Sequence, residues 1–184
     1  MKFGGTSVAN LSRIKNLQQL VKNKISNGHK KILVVVSAMS GVTNNLVKQY
    51  KKIDSNINKP EYDVILSTGE QYSSAIISTF LNKNGLKSRS ILGWQIPIIT
   101  DDKFSQARIE KINTEKILKL FKKFNVLVVA GFQGISSEDR ITTLGRGGSD
   151  TSAVAIAVAL KSKICEIYTD VEGIFSSDPK VVKD

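Results

Sequence analysis

Two short runs constrain the fold more than anything else in the chain: residues 31–37 (KILVVVS) and 125–130 (NVLVVA). Both are continuous, apolar and β-branched rather than alternating, so each reads as a strand buried on both faces. Strands of that kind belong to a parallel sheet covered by helices on either side, and helix-like stretches separate these two runs. The expected class is α/β, a three-layer α/β/α sandwich with a mainly parallel central sheet. At 184 residues and 41% hydrophobic, the chain is long enough for one such core and too apolar to be wholly disordered. No internal repeat and no linker divides it.

The remaining elements follow from periodicity and end signals. Leu11, Ile14, Leu17, Val21 and Ile25 recur at helical spacing, with Asn10 or Ser12 as cap and Gly28 as stop. A second helix is expected over 43–52, a polar loop over 54–60, and a third helix opening at Ser67. There Ser67-Thr68-Gly69-Glu70 has the form of a capping box, and Gly85 follows the helix end near Asn82. Residues 88–92 and 97–100 read as short strands around Trp94, and 112–124 as an amphipathic helix. Ser149-Asp150 would cap a last helix over 151–160, which is apolar all round and so expected to be buried. Residues 164–169 read as a third internal strand, and Cys165 and Trp94 as core residues. His29 is expected at a helix C-terminus.

Charge excludes less than it suggests. The 27 Lys and Arg outnumber 16 Asp and Glu, giving a formal net charge of +11. These cations are mostly Lys scattered over helix-like stretches, without the interleaved aromatics or motifs of a nucleic-acid surface. Lys, Ile and Asn share A/T-rich codons, so genome composition accounts for the excess, and no nucleic-acid partner is expected. No apolar run approaches the length of a membrane span, and no signal-peptide apolar region follows Met1, so the expected site is the cytoplasm, away from membranes. One cysteine and one histidine leave no internal disulfide, no zinc cluster and no His-based triad.

Chemistry points to three glycine-rich junctions: Lys2-Phe3-Gly4-Gly5-Thr6-Ser7, Gly131-Phe132-Gln133-Gly134, and Gly145-Arg146-Gly147-Gly148-Ser149-Asp150. In an open α/β sheet the ligand crevice lies outside the carboxyl ends of the strands, where glycines let backbone amides approach phosphate oxygens. The Walker, dinucleotide-fold and protein-kinase signatures are all absent. The third junction is the sharpest, since it places a guanidinium, glycines, a hydroxyl and a carboxylate at a helix start. Lys2 beside Gly4 and Gly5 is a natural phosphate cation.

The segments KFGGTSV (2–8), SAMSGVTN (37–44), STGEQ (67–71), GFQG (131–134), TLGRGGSDTSA (143–153) and TDVEGIFSSDPK (169–180) closely resemble the aspartate kinase family, in its order and spacing. The resemblance implies an amino-acid kinase fold and transfer of phosphate from ATP, with Mg²⁺ carried on the ATP phosphates, to the side-chain carboxylate of L-aspartate. The product, 4-phospho-L-aspartate, opens biosynthesis of lysine, threonine, methionine and, in many bacteria, diaminopimelate. It further implies that residues 1–184 are the N-terminal part of the catalytic domain, incomplete at both ends, with the rest of the nucleotide lobe and the ACT regulatory domains outside them. The parent protein is then expected to be a homo- or hetero-oligomer, and the isolated piece to have little or no activity. Phe175 and Lys180 stand where the family often has Tyr and Arg.

Roles follow residue by residue from that resemblance. Lys2 and Asp150, with Gly4 and Gly5, would be the catalytic group: Lys2 bridging phosphate oxygens, Asp150 orienting Lys2, and the two glycine amides approaching the transferring group. Arg146 would hold a substrate carboxylate and Glu70 the α-ammonium, with Thr43, Ser37 and Ser149 as hydroxyl partners. Lys2, Thr6, Ser7, Gly147, Gly148, Thr169, Asp170, Phe175 and Asp178 would line the nucleotide. No general base is required, because a carboxylate acceptor is already ionised at neutral pH. Two other readings stay open from the residues: a kinase acting on glutamate, acetylglutamate or UMP, and a nucleotide-binding piece without turnover.

Overall fold

The computed structural model describes residues 1–169. Strands β1 (Lys2–Phe3), β2 (Ile32–Val36), β3 (Ser88–Ile91), β6 (Val126–Ala130) and β9 (Ile167–Tyr168) form a five-stranded sheet. Its order is β3-β6-β2-β1-β9 and every pairing is parallel. The two apolar runs lie side by side at its centre, and every residue of β6 is buried.

Strand alternation divides the core into two layers. Ile32, Val34, Val36, Val126, Val128 and Phe3 face one side. There they meet Ile14, Leu17 and Val21 of helix α1 (Leu11–Ser26) and Ile77 and Leu81 of helix α3 (Pro60–Lys83). Leu33, Val35, Leu127 and Val129 face the other side, against Ile117 of helix α4 (Thr114–Leu120) and Ala153 and Ile156 of helix α5 (Gly148–Ala159). The expected three layers are therefore present. Helix α1 begins where its sequence signal placed it, with the Asn10 side chain accepting from the Arg13 amide. It stops before Gly28, whose φ is +91°.

A second sheet was not anticipated. Strands β4 (Ile98–Thr100), β5 (Ile109–Ile112), β7 (Gln133–Ile135) and β8 (Ile141–Thr143) make a mixed four-stranded sheet in the order β5-β4-β7-β8. Of the two short strands expected around Trp94, one joins each sheet. The glycines of the 131–134 junction answer to packing: a Cβ on Gly134 would stand 2.5 Å from the Thr100 side chain and 2.6 Å from the Ile98 carbonyl.

Helix ends differ from expectation in instructive ways. Helix α2 covers Val42–Lys51, close to its expected span. Helix α3 starts at Pro60 rather than Ser67, because proline fits the first helical position and Glu61 and Asp63 suit the positive end of the helix. Ser67 is therefore mid-helix, its hydroxyl donating to the Val64 carbonyl, and the capping box does not form. At α5 the cap is Gly147 at φ +77°, with no side-chain cap, so Asp150 lies in the first turn instead. That helix buries one stripe only; Val158, at 72% exposure, stands on the other side with Val154. Strand β9 is an edge of the sheet among the described residues, Cys165 is exposed, and Trp94 is half exposed. No helix among the described residues is long and apolar enough to cross a membrane.

Candidate functional site

Parallel pairing sends the carboxyl ends of β1, β2 and β6 to one edge of the sheet, so Gly4, Ser37 and Gly131 emerge together. The Ser37 amide donates to the Phe3 carbonyl and the Gly131 amide to the Val36 carbonyl. A cavity of about 240 Å³ opens at this edge, lined by Lys2, Ser37, Ala38, Thr43, Glu70, Phe132 and the whole 145–150 junction.

Lys2 reaches it because β1 alternates. Phe3 points to the α1 face, which leaves Lys2 on the α5 side, where its Nζ lies 2.8 Å from Asp150 Oδ1. Lys2 is only 7% exposed, so its charge is held out of water against this carboxylate, itself half open to solvent. Gly4 lies beside the same group: a Cβ there would fall 3.6 Å from Lys2 Nζ.

Glu70 enters from α3 and is 4% exposed. Its Oε1 accepts from the Ala38 amide at 2.9 Å, while Oε2 is buried without a hydrogen-bond partner. Burial pushes its carboxyl up from the ordinary 4.5 to about 7, and the hydrogen bond from Ala38 only partly opposes this. Ala38 itself is wedged between two glycines. A Cβ on Gly5 would stand 2.6 Å from the Ala38 carbonyl oxygen, and one on Gly69 would stand 2.8 Å from the Ala38 Cβ. Only glycine at these two positions lets the strand end lie close enough to offer its amide to Glu70.

The 145–150 turn closes the other wall. Gly145 and Gly147 both adopt positive φ, at +74° and +77°. A Cβ on Gly148 would collide with the Phe132 ring at 2.7 Å, and Phe132 in turn donates its amide to the Ser152 hydroxyl. Arg146 projects from this turn and is exposed.

The structure thus brings Lys2, Ser37, Thr43, Glu70, Arg146, Gly147, Gly148, Ser149 and Asp150 around one cavity. Gly4, Gly5, Thr6, Ser7 and Thr169 do not line it; Thr6 and Ser7 sit in the short 3₁₀ turn after Gly5, and Thr169 follows β9. The Gly4 amide, expected to face the transferring group, donates to the Tyr168 carbonyl across 3.4 Å. Asp170, Phe175 and Asp178 lie outside the described residues. Sequence reasoning missed Ala38 and Phe132 as lining residues; the positive φ of Phe132, +69°, has no sequence signature. Among the described residues no three His, Cys, Asp or Glu side chains gather to hold a metal ion.

The sequence profile of the amino acid kinase family matches residues 1–184. The chain belongs to that family. It is 48% identical over 184 residues to an aspartokinase from Rickettsia felis, covering 98% of this chain and 46% of the relative. It is 49% identical over 182 residues to an aspartokinase from a Bacillus species, covering 99% of this chain and 44% of the relative. The chain therefore spans about half the length of the curated relatives it matches. Among solved structures, an aspartate kinase from Synechocystis superposes with a TM-score of 0.79 at 46% identity, over 98% of this chain and 30% of that one. Escherichia coli aspartokinase III, in complex with aspartate and ADP, gives a TM-score of 0.82 at 26% identity, over 98% of this chain and 51% of that one. This amino acid kinase domain places its cavity at the strand ends, as expected of an open α/β sheet.

Proposed function

We propose that this chain forms the aspartate-binding part of an enzyme that transfers phosphate from ATP to the side-chain carboxylate of L-aspartate, giving ADP and 4-phospho-L-aspartate. The observation that carries the reading is the half-satisfied Glu70. A buried carboxylate with one free oxygen, in the same cavity as an arginine, calls for a ligand that brings both a cation and an anion. Aspartate and glutamate do; N-acetylglutamate and UMP have no free ammonium and would leave Glu70 unpaired. The identities of 46–49% to aspartokinases support aspartate over glutamate.

In this reading Glu70 accepts the α-ammonium, Arg146 forks onto a carboxylate, and Thr43, Ser37 and Ser149 offer hydroxyls to the rest of the substrate. The β-carboxylate oxygen attacks the γ-phosphorus, the bond to the bridging oxygen breaks, and ADP leaves with that oxygen's electrons. The acceptor is already ionised, so no proton needs removing. Lys2 follows the oxygen charge that spreads over the transferring group, and Asp150 holds the lysine in place. Mg²⁺ on the ATP phosphates would neutralise part of that charge. Asp150, which lines the cavity beside Lys2, would be the residue to hold such an ion. Gly147 and Gly148, which line the cavity, would meet the nucleotide; Thr6, Ser7, Thr169, Asp170, Phe175 and Asp178 are assigned to it by the family resemblance alone. The cytoplasm, where ATP is supplied, is the compartment this reading assigns.

The test is coupled ADP release from the full-length protein with Mg²⁺-ATP and, in parallel, L-aspartate, L-glutamate, N-acetyl-L-glutamate and UMP. Turnover with aspartate well above the other three is expected. Preference for any of the others, or ATP binding without turnover, would overturn the assignment.

A further inference from the structure

Asp63 is completely buried, yet it lies outside the cavity and the reaction gives it nothing to do. Its two oxygens accept four hydrogen bonds. The Ser105 amide donates to both, at 3.0 and 2.9 Å, the Thr143 amide donates at 2.6 Å, and the Thr143 hydroxyl donates at 2.8 Å. These donors come from segments 42 and 80 residues away in the chain. Among the described residues these donors are all uncharged, and burying a carboxylate on such donors is a costly way to join a helix to a sheet, so its position calls for a reason.

The reason lies in what Ser105 and Thr143 support. Thr143 ends β8, two residues before Gly145 and three before Arg146. Ser105 sits behind the same turn: a Cβ on Gly145 would meet the Ser105 carbonyl oxygen at 3.1 Å. Ser105 is held at φ +63°, a strained value for a residue with a side chain, and the neighbouring Ala107 amide donates to the Thr143 carbonyl. Asp63 therefore fixes both the root and the backing of the arginine-bearing turn. On α3, Asp63 precedes Glu70 by seven residues, two helical turns on one face and about 10 Å along the axis. One rigid helix thus carries Glu70 at one point and anchors the Arg146 turn at another.

We propose that Asp63 is a positioning residue that sets where Arg146 stands relative to Glu70, and so fits the cavity to the length of its substrate. The proposal rests on the reading that these two side chains grip aspartate. An asparagine at position 63 has one acceptor oxygen and would turn an NH₂ toward backbone N–H donors. A valine at 143 removes only the hydroxyl donor.

The experiment uses the full-length protein with Asp63→Asn, Thr143→Val and Thr143→Ser. Aspartate KM should rise about tenfold in Asp63→Asn and severalfold in Thr143→Val, with ATP KM moving less than about twofold. Thr143→Ser, which keeps the hydroxyl, should return to the wild-type value. Hydrogen exchange at 143–148 should quicken in Asp63→Asn while 70–83 stays protected. Loss of thermal stability with aspartate KM unchanged, or equal rises in both KM values, would overturn the proposal. If Asp63→Asn fails to fold, an unchanged aspartate KM in Thr143→Val overturns it alone. A wild-type protein that does not phosphorylate aspartate refutes the functional reading instead, and exchange at 143–148 then still decides whether Asp63 orders the turn.

Discussion

Replacing Glu70 by glutamine should make the ligand-free protein less sensitive to pH while ruining aspartate binding. Glu70 is buried and its carboxyl is pushed up from 4.5 to about 7, chiefly by loss of water around the charged form. The folded state therefore holds a proton that the unfolded state releases between these two values. Stability from this group is fully present below pH 4.5, falls as pH rises, and is lost once pH passes about 7. At about 1.36 kcal/mol per pH unit the whole span is worth about 3 kcal/mol, of which about 2.5 kcal/mol falls between pH 5 and pH 8. Glu70→Gln is nearly isosteric, and its carbonyl oxygen can still accept from the Ala38 amide, so it should lack this slope. Its NH₂ replaces an already unpartnered oxygen, which adds a cost that does not vary with pH.

Urea unfolding of both proteins at matched pH from 5 to 8 measures the difference directly. The advantage of wild type over Glu70→Gln should shrink by up to about 2.5 kcal/mol across that range. A difference that stays flat or grows with pH would refute the reasoning, because it would mean that burial does not disfavour the ionised carboxylate. Aspartate supplies the counter-test. Its ammonium needs the ionised form, so wild-type aspartate KM should fall as pH rises through 7. In Glu70→Gln that KM should be raised about 100-fold or more and be insensitive to pH, since the variant leaves a buried ammonium unpaired.

Three further outcomes are expected in the full-length protein. Arg146→Lys keeps the charge but loses the planar fork, so aspartate KM should rise with little change in that for ATP; steady-state kinetics in both substrates checks this. Lys2→Ala and Asp150→Ala should each lower kcat far more than they weaken binding, and the double variant should be little worse than either, because the two groups are 2.8 Å apart and act as one unit. Losses that simply multiply would refute the coupling. Gly5→Ala forces a Cβ within 2.6 Å of the Ala38 carbonyl oxygen and should cost about 1–3 kcal/mol in unfolding experiments, with reduced aspartate affinity as the Ala38 amide moves off Glu70.

The features legible in the sequence were those whose cause is local. Residues 32–36 and 126–130 are apolar at every position, as a strand covered on both faces requires, so the central sheet and its two helical layers followed. The Gly145–Asp150 segment concentrates too many special residue types to be a simple turn, and it does form one wall of the cavity. Strands β4, β7 and β8 are three residues each, too short for alternation to stand out, so the second sheet was invisible. At α3 two start signals competed, and Pro60 prevailed because Tyr62 and Leu66 gain a hydrophobic cluster with Tyr50 that a helix opening at Ser67 would forgo. The task of Asp63 was hidden for a different reason, and that of Glu70 came from the family resemblance and not from its local pattern, which suggested a capping box. Their hydrogen-bond partners lie 32 to 80 residues away, and a buried acid on a helix looks like any first-turn or surface acid until the sheet is assembled.

On the function proposed above, selectivity is the task that stiff cavity walls would serve. Aspartate and glutamate carry the same charges and differ by one methylene, and such a difference is worth only about 10- to 200-fold even in a good site. A cavity able to relax by a few tenths of an ångström would forfeit most of that. Here the carboxylate wall is a helix resting on Ala38 through Gly69, the strand end is pressed against Gly5, and the opposite turn abuts Phe132 through Gly148. At each contact the neighbouring atom stands 2.6 to 2.8 Å from where a Cβ would lie. Backbone set this close to its neighbours has little room to breathe. On that reading the glycines that resemble phosphate-binding turns in the sequence would serve the substrate as well: by bringing three segments into direct contact, they would keep the separation of Glu70 and the Arg146 turn from drifting toward the longer amino acid.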